Sequence, residues 1–232
     1  MTSIFIISAP SGSGKSTLVG KVRESVPGLD FSISYTTRKP RGNEQNGCEY
    51  FFISQAEFQE MILQDEFLEY AQPFHNGDQY GTARRFLREA QQRGTDLLLD
   101  INVEGAQKIR QKVPAAISIF ILPPNRSELE KRLRNRSLDS EEVIQRRLVT
   151  ASREIENYSK YDYILVNDRV EDSVAALRAI LLAERAQHSG AQPIAENAGT
   201  IALAESCRLR NMRERLQPIL NSFVTAAAPG GR

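Results

Sequence analysis

The chain has 232 residues, of which 41% are hydrophobic and 25% charged, and its net charge is +1. A balance this close to neutral gives no electrostatic ground for nucleic-acid or membrane-surface binding, and no run approaches the roughly 18 apolar residues of a membrane span. Two widely separated cysteines, Cys48 and Cys207, make neither a metal cluster nor a disulfide framework, so the expectation is one soluble α/β domain with insertions.

Ile4 to Ile7 is a short β-branched run that reads as a buried strand. Ala9-Pro10-Ser11-Gly12-Ser13-Gly14 is small and glycine-rich, and Lys15-Ser16-Thr17 opens a helix that Pro27-Gly28 ends. Strand, glycine turn and Lys-Ser helix start form a phosphate loop. Gly12 and Gly14 let backbone N–H groups turn inward toward phosphate oxygens. Lys15 reaches the outer phosphates, and the Ser16 hydroxyl is a ligand for Mg²⁺. Ala9 stands where the strict motif has glycine. The loop points to a nucleoside triphosphate and leaves the acceptor open. With no basic leader before this first strand, a cytoplasmic enzyme is expected.

Phe31 to Tyr35 alternates like a strand, and Arg38 and Arg41 then flank Pro40 in a stiff turn. Fixed guanidinium groups suit a phosphate acceptor site, although a solvated turn would look the same. Tyr50 to Ile53 reads as a strand, and Ser54-x-x-Glu57 as a capping box opening a helix to about Gln64. Phe67 to Phe74 is a further strand carrying Glu69, and Asn76-Gly77 a turn. Thr82 is placed to cap a helix that Gly94 closes at Arg93.

Leu97 to Ile101 resumes the core as a strand with Asp100 near its end. That carboxylate fits either a water-mediated Mg²⁺ contact or a cap on the next helix, from Glu104 to Lys112. Ala116 to Leu122 is a strand, Arg126 to Arg136 a helix, and Leu138 opens another that reaches about Tyr158. These two helices carry Arg132, Arg136, Arg146 and Arg147 amid nearly as many acids. A salt-bridged hairpin and a lid delivering arginines to a phosphoryl group fit this pattern equally. Tyr163 to Val166 is the last core strand, and Val170 to Gln187 a helix. The two histidines, His75 and His188, make no pair with an evident nucleophile.

Strands alternating with helices predict a mainly parallel, doubly wound α/β sheet of the P-loop kinase kind. The domain is expected over residues 1–187, with core 1–34 and 83–187, a mixed α+β insertion over 35–82 and a lid over about 126–158. Residues 188–232 read as a linker and a tail, helical over about 201–224. The tail's apolar stripe, Leu209, Met212, Leu216, Ile219, Leu220 and Phe223, is expected to face a partner surface or a second subunit rather than the active site, with a helix folded back to support the core as the alternative.

Taken together, these motifs resemble guanylate kinases. The resemblance rests on the phosphate loop at 9–17, Ser-Tyr-Thr-Thr-Arg-Lys-Pro-Arg-Gly-x-Glu-x-x-Gly at 34–47, Tyr50-Phe51-Phe52, Phe67-Leu-Glu-Tyr-Ala, Tyr80-Gly-Thr, Leu99-Asp-Ile-Asn-Val-Glu-Gly, Lys-Arg-Leu-x-x-Arg at 131–136 and Ile-Leu-Val-Asn-Asp at 164–168. It covers about residues 3 to 186. It implies Mg²⁺-dependent transfer of the γ-phosphate of ATP to GMP. Arg38, Arg41, Tyr50 and Tyr80 would hold the GMP phosphate, and Ser34, Glu69 and Thr82 would read guanine. Arg132, Arg136 and Arg147 would close on the transferring phosphate, and Asn167 would lie near the adenine. Asn102 stands where this family's run has an Asp that helps bind guanine, and Glu104 stands where it has Gln. A protein-binding scaffold of the same shape and a kinase for another phosphorylated metabolite, such as a ribose bisphosphate, are the rival readings.

Overall fold

The computed structural model describes residues 2–72, 77–136, 140–188 and 198–224. His75, Asn76, most of the expected linker, the last eight residues and the opening of the second lid helix at Leu138 lie outside them.

Nine strands make two sheets among the described residues. The larger sheet has the order β2-β7-β1-β8-β9, from β1 (Ile4–Ser8), β2 (Leu29–Ser32), β7 (Asp96–Asp100), β8 (Ile117–Leu122) and β9 (Tyr163–Val166). Pairings β1–β7, β2–β7 and β8–β9 are all parallel. β1 and β8 are buried along their whole length, as strands covered on both faces must be. The smaller sheet is mixed, in the order β4-β3-β6-β5, from β3 (Tyr35–Thr36), β4 (Phe51–Phe52), β5 (Phe67–Ala71) and β6 (Tyr80–Ala83). Its strands fall within the expected insertion over 35–82, except that β6 runs one residue past its end, to Ala83.

The chain divides into two compact units. The first, residues 1–7 with 26–117, holds the smaller sheet, β2 and β7. Its helices are α2 (Gln55–Leu63), α3 (Arg84–Arg93) and α4 (Val103–Lys112). The capping box at Ser54 and Glu57 is complete, and Gly94 ends α3 in the left-handed conformation at φ 66°. Thr82 does not cap α3. It lies inside β6, and Ala83 precedes the helix without a side-chain cap.

The second unit, residues 8–25 with 118–232, holds the phosphate loop, α1 (Lys15–Ser25), α5 (Arg126–Arg136), α6 (Glu141–Ile155), α7 (Val170–His188) and the tail. The tail forms α8 (Ala198–Ser206) and α9 (Arg213–Val224). Its apolar stripe does not face outward. Met212, Leu216, Ile219 and Phe223 are at most 6% exposed within the chain, and α9 packs on α5 and α6. The expectation of a partner-facing stripe is thereby corrected: a stripe with helical period marks a buried face without saying what buries it.

Candidate active site

The phosphate loop belongs to the second unit. Gly12 and Gly14 take φ of 90° and 86°, a region that residues with a Cβ rarely enter. A methyl group on Gly14 would stand 2.3 Å from the Asn167 side-chain nitrogen, and one on Gly12 would stand 2.9 Å from Leu133. Both glycines are therefore fixed by close approach as well as by conformation. Asn167 is 2% exposed and donates from Nδ2 to the Ser13 carbonyl at 2.8 Å. It thus holds the loop from within. Ser8 Oγ, Ser13 Oγ and Asn167 Oδ1 are buried without a hydrogen-bond partner among the described residues.

Lys15 and Ser16 open α1, with the Ser16 side chain exposed. Glu154 of α6 feels the Lys15 ammonium, which draws its pKa down, yet burial dominates and pushes its carboxyl up to about 7. Sequence reasoning passed over Glu154, because nothing in its spacing distinguishes it from a solvated helix acid.

Arg132 donates from Nε to Glu128 and from Nη1 to the Asn167 carbonyl, both at 3.0 Å. Arg134 bridges the two lid helices, bonding Glu130 on α5 and Glu141 on α6. Arg146 pairs with Glu142, and Arg147 is half-buried on α6. The hairpin is therefore laced with ion pairs and still presents Arg132 toward the loop's brace. The Arg136 side chain lies outside the described residues.

The first unit holds the other candidates. Arg38 is 7% exposed and forms a two-pronged pair with Glu44, Nη1 to Oε2 at 2.6 Å and Nη2 to Oε1 at 2.8 Å. Its guanidinium lies 4.9 Å from the Tyr50 ring centre and 5.4 Å from that of Phe52, and Tyr80 meets Tyr50 edge-on. Glu44 also accepts the Arg41 N–H at 2.8 Å, leaving the Arg41 side chain exposed. Glu44 was present in the Arg-Gly-x-Glu run, but only folding shows it as the partner that aims Arg38.

Glu69 and Thr82 face each other across β5 and β6, and the Thr82 hydroxyl donates to Glu69 Oε1 at 2.7 Å. A bulge between Phe67 and Glu69 breaks the strand's alternation, so Leu68 and Glu69 are both buried while Tyr70 is exposed. Burial raises the pKa of Glu69, and the Thr82 hydrogen bond opposes that rise. Gly105 lies against this carboxylate, where a Cβ would come within 2.9 Å of Oε2. Ser34 is 9% exposed, and its carbonyl accepts the Phe51 N–H at 2.9 Å.

Asn102 caps α4, accepting the Gly105 N–H at 2.8 Å. The helix after β7 has its side-chain cap from Asn102, and Asp100 ends β7 two residues earlier.

A family model described as guanylate kinase matches residues 1–184. The chain belongs to the guanylate kinase family. Members of that family phosphorylate GMP at the expense of ATP. The chain is 56% identical over 229 residues to a guanylate kinase of Koribacter versatilis, covering 97% of both chains. It is 47% identical over 188 residues to the guanylate kinase of Escherichia coli K12, covering 80% of this chain and 90% of the relative. Among solved structures, the guanylate kinase of Anaplasma phagocytophilum superposes with a TM-score of 0.65 at 32% identity, covering 79% of this chain and 86% of that one.

Proposed function

We propose that this chain transfers the γ-phosphate of ATP to GMP in a single in-line, Mg²⁺-dependent step. The observation that carries the reading is the buried Glu69 carboxylate paired with Thr82. Guanine offers a ring N–H and an exocyclic amine side by side, and a carboxylate accepts both. Ser34 and Thr82 complete the base contacts, with Asn102 at the nearby helix start. Arg38, Arg41, Tyr50 and Tyr80 take the GMP phosphate.

At the ATP end, residues 9–17 cradle the phosphates, Lys15 neutralises their charge, and Asn167 acts through Ser13. Arg132, Arg136 and Arg147 stabilise the transferring phosphoryl group, whose barrier falls mainly through positioning and charge. Mg²⁺ suits the donors present. Ser16 offers an exposed hydroxyl and Asp100 a carboxylate, and no group of three or more acidic, His or Cys side chains suited to a metal occurs among the described residues. An ion completed by nucleotide oxygens and water needs only such sparse protein ligands. When bound, it supplies further charge neutralisation on the phosphates.

None of the helices described is long and apolar enough to cross a membrane, and the reading places the enzyme in the cytoplasm with its nucleotides. The test is ADP production from ATP with each nucleoside monophosphate in turn. GMP alone should support rapid turnover. Turnover with none of them would favour the scaffold reading, and preference for another phosphorylated metabolite would reassign the acceptor.

A further inference from the structure

Residues beyond 184 lie outside the family model, and the match to the E. coli relative accounts for only 80% of this chain. The tail is nevertheless built into the second unit. Its first anchor is the edge of β9. The Ile164 N–H donates to the Cys207 carbonyl at 2.8 Å, and the Leu209 N–H to the Asp162 carbonyl at 3.0 Å. The tail thus covers the sheet edge that β9 would otherwise expose. Arg208 reinforces the join, bonding the buried Glu184 at 2.8 Å while lying over the Tyr163 ring, and the Tyr163 hydroxyl also donates to Glu184.

From that anchor the chain enters α9. Ser222 Oγ accepts the Arg126 N–H at 3.1 Å, which is the first helical N–H of α5 and has no intrahelical partner. The same hydroxyl donates to the Ile219 carbonyl at 2.6 Å, which fixes its lone pairs. Ile219 and Phe223 are 6% and 4% exposed. Farther along α5, Leu129 and Leu133 lie against Gly12 of the phosphate loop, and Arg132 reaches the Asn167 carbonyl. Helix α5 is therefore held at its start by the tail and farther along by the loop.

We propose that α9 is a positioning element for the phosphoryl transfer, with Ser222 and Ile219 as its working residues. By fastening the start of α5 and packing on α6, it sets the angle from which Arg132 meets the triphosphate. The role belongs to the tail of this chain and rests on the reading of Arg132 as a phosphate-facing group. Positioning losses appear in kcat and in the KM for ATP, and the KM for GMP should not move.

The test uses the full chain with Ser222→Ala, Ser222→Thr and Ile219→Asp. Ser222→Ala should lower kcat about threefold, in line with the loss of one neutral hydrogen bond, and Ser222→Thr should restore it. Ile219→Asp should lower kcat on the order of tenfold or more and raise the KM for ATP, with the KM for GMP unchanged. Amide hydrogen exchange on α5 should rise in both losing variants. Unchanged kcat and ATP KM in Ser222→Ala, at a lowered melting temperature, would show a purely structural tail and overturn the proposal. Should Ile219→Asp fail to fold, the Ser222 pair decides alone. An unmutated chain inactive on GMP would defeat the functional reading instead.

Discussion

Both prongs of the Arg38 guanidinium are held by Glu44, at 2.6 Å and 2.8 Å, beneath the rings of Tyr50 and Phe52. A mobile arginine must surrender rotamer freedom when it grips a phosphate, and this one has already done so. Glu44→Ala should therefore raise the KM for GMP on the order of tenfold with a smaller effect on kcat. Steady-state kinetics at fixed saturating ATP measure this. An unmoved KM would mean that Arg38 does not bind the acceptor phosphate in this orientation.

Glu69 should carry the choice of guanine over adenine. Adenine puts a lone pair where guanine has its ring N–H, so a buried carboxylate would face another acceptor. Glu69→Ala should lower kcat/KM for GMP on the order of 100-fold and leave AMP turnover nearly unchanged. The raised pKa adds a pH signature. The carboxyl takes up its proton at a higher pH than an ordinary glutamate, and the protonated form accepts one guanine donor less well. The KM for GMP should thus climb on acidification sooner than an unperturbed carboxylate would dictate. A profile flat down to the ordinary glutamate range refutes this assignment.

Lys15→Ala should abolish turnover with little change in melting temperature, because Lys15 supplies the only side-chain charge within residues 8–17. Gly14→Ala separates conformation from charge. Its methyl would meet Asn167 at 2.3 Å and would sit on a backbone at φ 86°. It should both weaken ATP binding and destabilise the fold by about 1–3 kcal/mol. Calorimetric titration with ATP and thermal unfolding read the two effects. A stable Gly14→Ala variant with parental ATP affinity would argue against the close packing of Asn167 on the loop.

Glu154 should make stability fall with rising pH. Its folded pKa of about 7 lies above the ordinary 4.5, so the native chain holds a proton that the unfolded chain has released between those values. Where the native state binds more protons, the unfolding free energy decreases as pH increases. The effect of this one group is about 1–3 kcal/mol, allowing for its partial exposure. Denaturant unfolding of the parent and of Glu154→Gln at pH 5 and pH 8 isolates it, since other titrating groups cancel in the difference. Equal slopes in the two proteins would remove Glu154 from the account.

The phosphate loop, the parallel core and the inserted smaller sheet could all be read from the sequence. Their signals are local: a glycine spacing, a β-branched run, a capping box and a proline turn each act within a few residues. Helix α5 was expected over the residues it occupies for the same reason. What folding alone decided were partnerships over long separations. Thr82 reads as a helix cap by its neighbours, and the bulge in β5 turns it into the partner of Glu69. Asn102, marked by its departure from the family's run, proves to be the cap of α4, and Asn167 reaches back 154 residues to the Ser13 carbonyl. The tail shows the limit most clearly. Period 3.6 in its apolar residues announces that one face will be buried, but the hydrophobic effect has no direction and cannot specify the covering surface. That choice came from directional bonds at β9 and at the start of α5, which exist only once those elements have folded.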